Sequence, residues 1–153
     1  MTSNLQIDNF YRNEPLYGGC FSKDELRNRK PAGKFYIINL QDSDAGGGTH
    51  WVAVIDFLPK KIIYFDAFGV YPPTDIVKFM LKSTRKEGKE AVYSKLDYQE
   101  LSSSKCGEYC VLVANSLLEQ LRTGRIDPVN FDRGLLDGYP SQRNERVASR
   151  VRL

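Results

Sequence analysis

At 153 residues, with 41% hydrophobic and 27% charged residues, the chain has the length and composition of one globular domain rather than of a disordered segment. Its net charge is a mild +3, and no apolar run approaches the roughly 18 residues that a membrane span requires. The opening MTSNLQIDNF has neither the basic start nor the apolar middle of a secretory signal, so a protein that is not secreted is expected.

Leu5, Ile7, Phe10 and Tyr11 recur at near-helical spacing and predict a short helix over residues 4–12. Ser22-Lys23-Asp24-Glu25 has the form of a capping box with Leu26 behind it, which predicts a second short helix before Pro31 and Gly33. Lys34 to Leu40, KFYIINL, is an apolar and aromatic run of strand length. The loop QDSDAGGGT follows, and its glycines supply flexibility rather than a phosphate cradle, since no P-loop lysine or dinucleotide-binding pattern accompanies them. His50 to Leu58, HWVAVIDFL, reads as a strand buried on both faces. After the turn Pro59-Lys60-Lys61, Ile62 to Phe65 returns as its hairpin partner and ends at Asp66.

Pro72 to Asp75 open a helix carrying Ile76, Val77, Phe79, Met80 and Leu81, which Gly88 breaks. Ala91 to Tyr93 begins a short edge strand. Cys110, Val113, Ala114, Leu117, Leu118 and Leu121 give the strongest helical stripe in the chain, and Gly124 stops it. Pro128 to Leu153 reads as a loop followed by a basic amphipathic helix containing Val147 and Val151. No repeat, linker or low-complexity block interrupts the chain, so residues 1–153 are expected to form a single α+β domain.

Three cysteines give no closed disulfide framework. A structural zinc site takes four ligands, and here Cys20, Cys106 and Cys110 would all have to converge on His50, the only histidine. Cys106 precedes the buried stripe at the first turn of its helix, where unpaired backbone N–H groups and the helix dipole favour a thiolate. Cys110 starts the stripe itself and reads as a small core hydrophobe. Gly107, directly after Cys106, lets a carbonyl group approach the backbone closely.

A nucleophilic thiol needs a base, and His50 stands at the mouth of a buried strand, although an ordinary surface histidine has the same pattern. Asp66 ends the neighbouring strand 16 residues on, and the hairpin brings both to one end of the sheet. A lysine ion pair is the bland alternative for it. Gln99 lies seven residues before Cys106 and either folds over beside the Cys106 N–H as an oxyanion donor or remains a polar loop residue.

The order His50, Asp66, Gln99, Cys106, in the contexts THWVAV, YFDAFG and YQELSSSKCGEYC, resembles the adenovirus endopeptidase (adenain) family. It is similar also to the wider clan of SUMO- and ubiquitin-like-protein-specific cysteine proteases, and to the maturation proteases of virophages and Polinton-type elements. The lead-in, LYGGCFSKDEL and then KFYIINLQDSDAGGGTHW, is similar to the way those enzymes approach their histidine. The likeness is specific from Lys34 to Glu119 and loose outside it. Two departures stand out: the acidic member is Asp66 where the adenovirus enzymes carry Glu, and less chain follows the cysteine helix.

The resemblance implies a circularly permuted papain-like, adenain-like fold: a small mixed or antiparallel sheet with flanking helices. It implies a cysteine endopeptidase in which Cys106 attacks, His50 transfers the proton, Asp66 orients the imidazole, and Gln99 with the Cys106 N–H holds the oxyanion. Trp51 is expected either over these groups or in the core. The implied substrates are viral capsid or core precursors cut at glycine-containing sites during virion maturation. The alternatives are a deconjugating protease for ubiquitin-like modifiers and a non-catalytic binding module. No cofactor, metal or membrane partner is expected. A monomer with weak DNA affinity is, acting in the virion and the infected cell, in the nucleus or a cytoplasmic viral factory.

Overall fold

The computed structural model describes residues 2–42, 50–125 and 135–153. Most of the predicted glycine loop and the stretch around Pro128 lie outside them. Five strands, β1 (Tyr17–Ser22), β2 (Phe35–Asn39), β3 (Trp51–Ile55), β4 (Lys61–Phe65) and β5 (Glu90–Tyr93), form one sheet in the order β1-β2-β3-β4-β5. The central pairs β2/β3 and β3/β4 are antiparallel, and the outer pairs β1/β2 and β4/β5 are parallel. Among the described residues four α-helices accompany it: α1 (Asn4–Phe10), α2 (Thr74–Glu87), α3 (Cys106–Thr123) and α4 (Gln142–Ser149). The expected α+β class with a small mixed sheet is therefore the one observed.

Every residue of β2 and β3 is buried, which explains why their sequences run apolar instead of alternating. Successive side chains still point to opposite faces. Phe35, Ile37, Ala53, Ile55, Ile63 and Phe65 pack with α3, while Tyr36, Ile38, Val52, Val54, Ile62 and Tyr64 pack with Ile76, Phe79 and Met80 of α2. The sheet is thus sandwiched between α2 and the site-bearing helix α3. Both helices end on the predicted glycines, Gly88 at φ 68° and Gly124 at φ 72°, in the left-handed conformation that a side chain resists. No helix among the described residues is long and apolar enough to cross a membrane.

The structure departs from the sequence-based expectation in three places. The first helix buries only Ile7 and its cap residue Tyr11; Leu5 and Phe10 are exposed, so the apolar stripe is narrower than the pattern suggested. The region after Ser22 forms one turn of 3-10 helix, Lys23–Leu26, with the Glu25 carboxylate accepting from the Ser22 N–H at 2.9 Å as in a capping box. Strand β1 is unpredicted, because Gly18 and Gly19 lower strand propensity. Both glycines are sterically required. A Cβ on Gly18 would lie 2.3 Å from the Tyr36 ring, and Gly19 has φ 134° beside a break in register.

Candidate active site

The hairpin of β3 and β4 pairs Ala53 with Phe65 and Val54 with Tyr64, which brings His50, just before β3, and Asp66, just after β4, to one end of the sheet. His50 Nε2 lies 2.8 Å from Asp66 Oδ1. The Asp66 side chain is 2% exposed and the His50 side chain 19%. With Nε2 engaged by the carboxylate, the other ring nitrogen is left for the thiol of Cys106, which is also hydrogen-bonded to the imidazole. Burial works against the charged ring. The hydrogen bonds to Asp66 and Cys106 and the charges of those groups outweigh it and push the His50 pKa up to about 9. The pairing therefore favours the protonated ring, wedged between a carboxylate and a sulfur.

Each residue of the segment Asp66-Ala67-Phe68-Gly69 serves this arrangement. Asp66 Oδ1 also accepts the Phe68 N–H at 2.8 Å, which fixes the carboxylate by its own turn. The Phe68 ring stacks on the imidazole at 5.0 Å and 22°. The turn closes with the Gly69 N–H donating to the Asp66 carbonyl at 2.8 Å. Gly69 has φ 71°, and a Cβ there would approach the Leu96 carbonyl oxygen to 2.7 Å, so glycine is required twice over. The Ala67 carbonyl accepts from Tyr98 N at 2.7 Å and Gln99 N at 3.1 Å. The acid-bearing turn and the glutamine loop share one frame.

Helix α3 begins at Cys106 itself, and among the described residues no side chain caps its N-terminus. The N–H groups of that first turn have no intrahelical carbonyl and are presented beside the sulfur. Cys106 is 6% exposed, and its Sγ accepts from the Trp51 N–H at 3.4 Å. One helical turn later, the Cys110 thiol donates to the Trp51 carbonyl at 3.4 Å. The four-residue spacing of the two cysteines is thus explained: both face the same residue of β3. Burial pushes the thiols of Cys110 and Cys20 upward and holds both as neutral groups. Cys106 is the cysteine joined to the imidazole.

Gln99 is 1% exposed, and its Nε2 donates to the Ser103 carbonyl at 2.9 Å, which folds the serine-rich loop. That bond uses one of the two amide hydrogens. Among the described residues no protein group takes the other, and Oε1 is buried without a partner. Trp51 is 5% exposed, with its indole N–H on the Thr2 carbonyl at 3.2 Å. Thr2 also packs against Gly107, where a Cβ would meet its side chain at 3.0 Å, and bonds Glu108. The N-terminal residues thus close over the start of α3.

The structure brings His50, Asp66 and Cys106 together and sets Gln99 in the loop leading to the cysteine. Sequence reasoning did not single out Phe68, the Ala67 carbonyl or Thr2. The phrase FDAFG carried the signal for the first two. Among the described residues no group of three or more His, Cys, Asp or Glu side chains is placed to hold a metal ion.

The architecture is similar to that of a solved protease. The chain superposes on the crystal structure of the ASFV pS273R protease with a TM-score of 0.57 at 14% identity, over 95% of this chain and 63% of that one. This chain therefore spans less than two thirds of that protease. A selenomethionine form of the same protease matches at TM-score 0.47 and 17% identity, covering 78% of this chain and 44% of that one. The SUMO protease Ulp1, with its catalytic cysteine oxidised to a sulfinic acid, matches at 0.34 and 20% identity, over 75% and 50% of the two chains. No protein-family model and no curated protein matches the sequence.

Proposed function

We propose that the chain is a cysteine endopeptidase with Cys106 as nucleophile, His50 as proton carrier, Asp66 as orienting carboxylate and Gln99 as oxyanion donor. The observation that carries this reading is a single imidazole hydrogen-bonded to a buried carboxylate on one side and to a thiol at a helix start on the other.

The Cys106 thiolate adds to the scissile carbonyl, forming a C–S bond as the C=O electrons move to oxygen. The second Gln99 N–H and the Cys106 backbone N–H receive that oxyanion. His50, in its favoured imidazolium form, gives its proton to the amine nitrogen as the C–N bond breaks and leaves a thioester. The now neutral imidazole takes a proton from water as the hydroxyl adds to the thioester; the C–S bond then breaks to return the Cys106 thiolate, and the acid leaves as a carboxylate with its proton lost to solvent. The Asp66 charge, held by the Phe68 N–H, stabilises the imidazolium at each stage.

The substrates that fit the adenain-like resemblance are viral capsid or core precursors with glycine at the cut, processed in the virion or the infected cell. A monomer with weak, salt-sensitive DNA affinity from its surface lysines and arginines completes the proposal. The test is to map the new termini made from virion precursors by wild type and Cys106→Ala. Cuts at glycine-containing sites by wild type alone support it. Cleavage of ubiquitin-like conjugates alone replaces it with a deconjugating protease. Activity unchanged in Cys106→Ala removes the thiol mechanism altogether.

A further inference from the structure

Asn144, in the first turn of α4, has a side chain with 0% exposure, far from the chemistry in sequence. Its Oδ1 accepts from Asp137 N at 2.6 Å, and its Nδ2 reaches the carbonyls of Asp137 and Tyr139 at 3.0 Å each. Those bonds close the loop before α4. One further bond leaves the segment: Nδ2, whose two hydrogens are shared among the three carbonyls, also donates to the Tyr98 carbonyl at 3.1 Å, across 46 residues.

The Tyr98 carbonyl belongs to the same planar peptide unit as the Gln99 N–H. That N–H donates to Ala67, immediately after Asp66. The plane that aims the Gln99 side chain is therefore held at both edges, by the acid-bearing turn on one and by α4 on the other. Tyr109 Oη also comes within 3.5 Å of the Tyr98 carbonyl, but its single hydrogen is committed to the Glu145 carboxylate. Asn144 is the effective donor.

Building on the protease reading, we propose that Asn144 is a positioning residue for the oxyanion site, acting through the Tyr98–Gln99 peptide to aim the Gln99 amide. A loop-closing role alone would need only the Asp137 and Tyr139 bonds. Alkylation of Cys106 by iodoacetamide needs the thiolate and His50 but develops no oxyanion, so it separates the two roles.

The experiment is a double-mutant cycle of Asn144→Ala with Gln99→Ala in the full chain, reading peptide kcat and KM, the Cys106 alkylation rate and a thermal melt. Asn144→Ala is expected to lower kcat about tenfold, below the ~100-fold expected of Gln99→Ala, with KM changing less than about twofold. Alkylation stays at the wild-type rate. In the Gln99→Ala background the same change costs less than about twofold further, because the group it aims is already gone. An equal tenfold loss in both backgrounds, no loss at all, or alkylation falling in step with hydrolysis overturns the proposal. If Asn144→Ala does not fold, Asn144→Gln, which keeps the amide but displaces it, enters the same cycle. Unfolding of both gives Asn144 a structural role only and also overturns it. A wild type that alkylates at Cys106 but hydrolyses no peptide defeats the protease reading itself, and this proposal with it.

Discussion

The thiol of Cys110 donates to the backbone carbonyl of Trp51, the residue whose N–H is bonded to Cys106 Sγ. The two cysteines of the motif thus have different duties on one contact. Cys110 has 0% exposure and docks α3 onto β3; Cys106 meets the imidazole. Cys110→Ala removes that bond and a little buried volume and is expected to cost about 1 kcal/mol of stability. The rate at which iodoacetamide labels Cys106 should stay within about twofold of wild type. Thermal melting and mass-spectrometric mapping of the alkylated thiol check both halves, and selective labelling of Cys110 would contradict the assignment.

Because His50 is the only histidine, its titration is directly visible by NMR as a single imidazole. Its pKa rises from 6.5 in the unfolded chain to about 9 in the fold, so the ring binds a proton more tightly when folded. The stability that this contributes is fully present below pH 6.5 and is lost as the pH climbs through about 9. Hydrolysis should fall over the same high-pH limb, as the proton for the leaving amine is lost. A ring that titrates near 6.5 would overturn the ion-pair arrangement.

Asp66→Asn keeps the shape of the acceptor and removes its charge. The His50 titration is expected to move down from about 9, since burial then acts with less opposition. Peptide kcat should drop by about 10- to 100-fold, and the high-pH limb should shift to lower pH with it. Both are read from one pH series on the variant. An unmoved imidazole titration would mean that Asp66 is not its principal partner.

Gly69→Ala places a side chain where φ is 71° and where a Cβ would lie 2.7 Å from the Leu96 carbonyl oxygen. The strain is expected to cost about 1–3 kcal/mol. It falls on the turn that holds Asp66, so hydrolysis should decline more than stability alone explains. Comparing thermal melts with kcat at a temperature where both proteins are folded decides this. Phe68→Ala is the control, because it removes the ring on His50 without touching the backbone.

Much of the site was legible because it sits where local signals are strong. The hairpin carrying His50 and Asp66 is written in two apolar strands and a Pro-Lys-Lys turn, and the Cys106 helix in an unbroken stripe ending at Gly124. Other parts were hidden because their causes are nonlocal. β1 contains glycines that weaken any strand signal, yet the Tyr36 ring requires one of them. Asn144 looks like a polar residue on a basic amphipathic helix, and only the folded chain reveals that its amide meets Tyr98. The narrow burial of α1 has the same origin: Ile7 and Tyr11 find partners in the core, whereas Leu5 and Phe10 stay exposed, Phe10 resting edge-on against the Tyr11 ring.

The sole tryptophan follows the sole histidine, and its main chain touches the sulfur of Cys106. An adduct at that sulfur is expected to alter the Trp51 N–H contact and, through it, the surroundings of an indole anchored on the Thr2 carbonyl. The protein therefore carries an intrinsic fluorophore joined through its own backbone to the proposed nucleophile. Emission from that one indole is expected to report modification of the Cys106 sulfur without any added label.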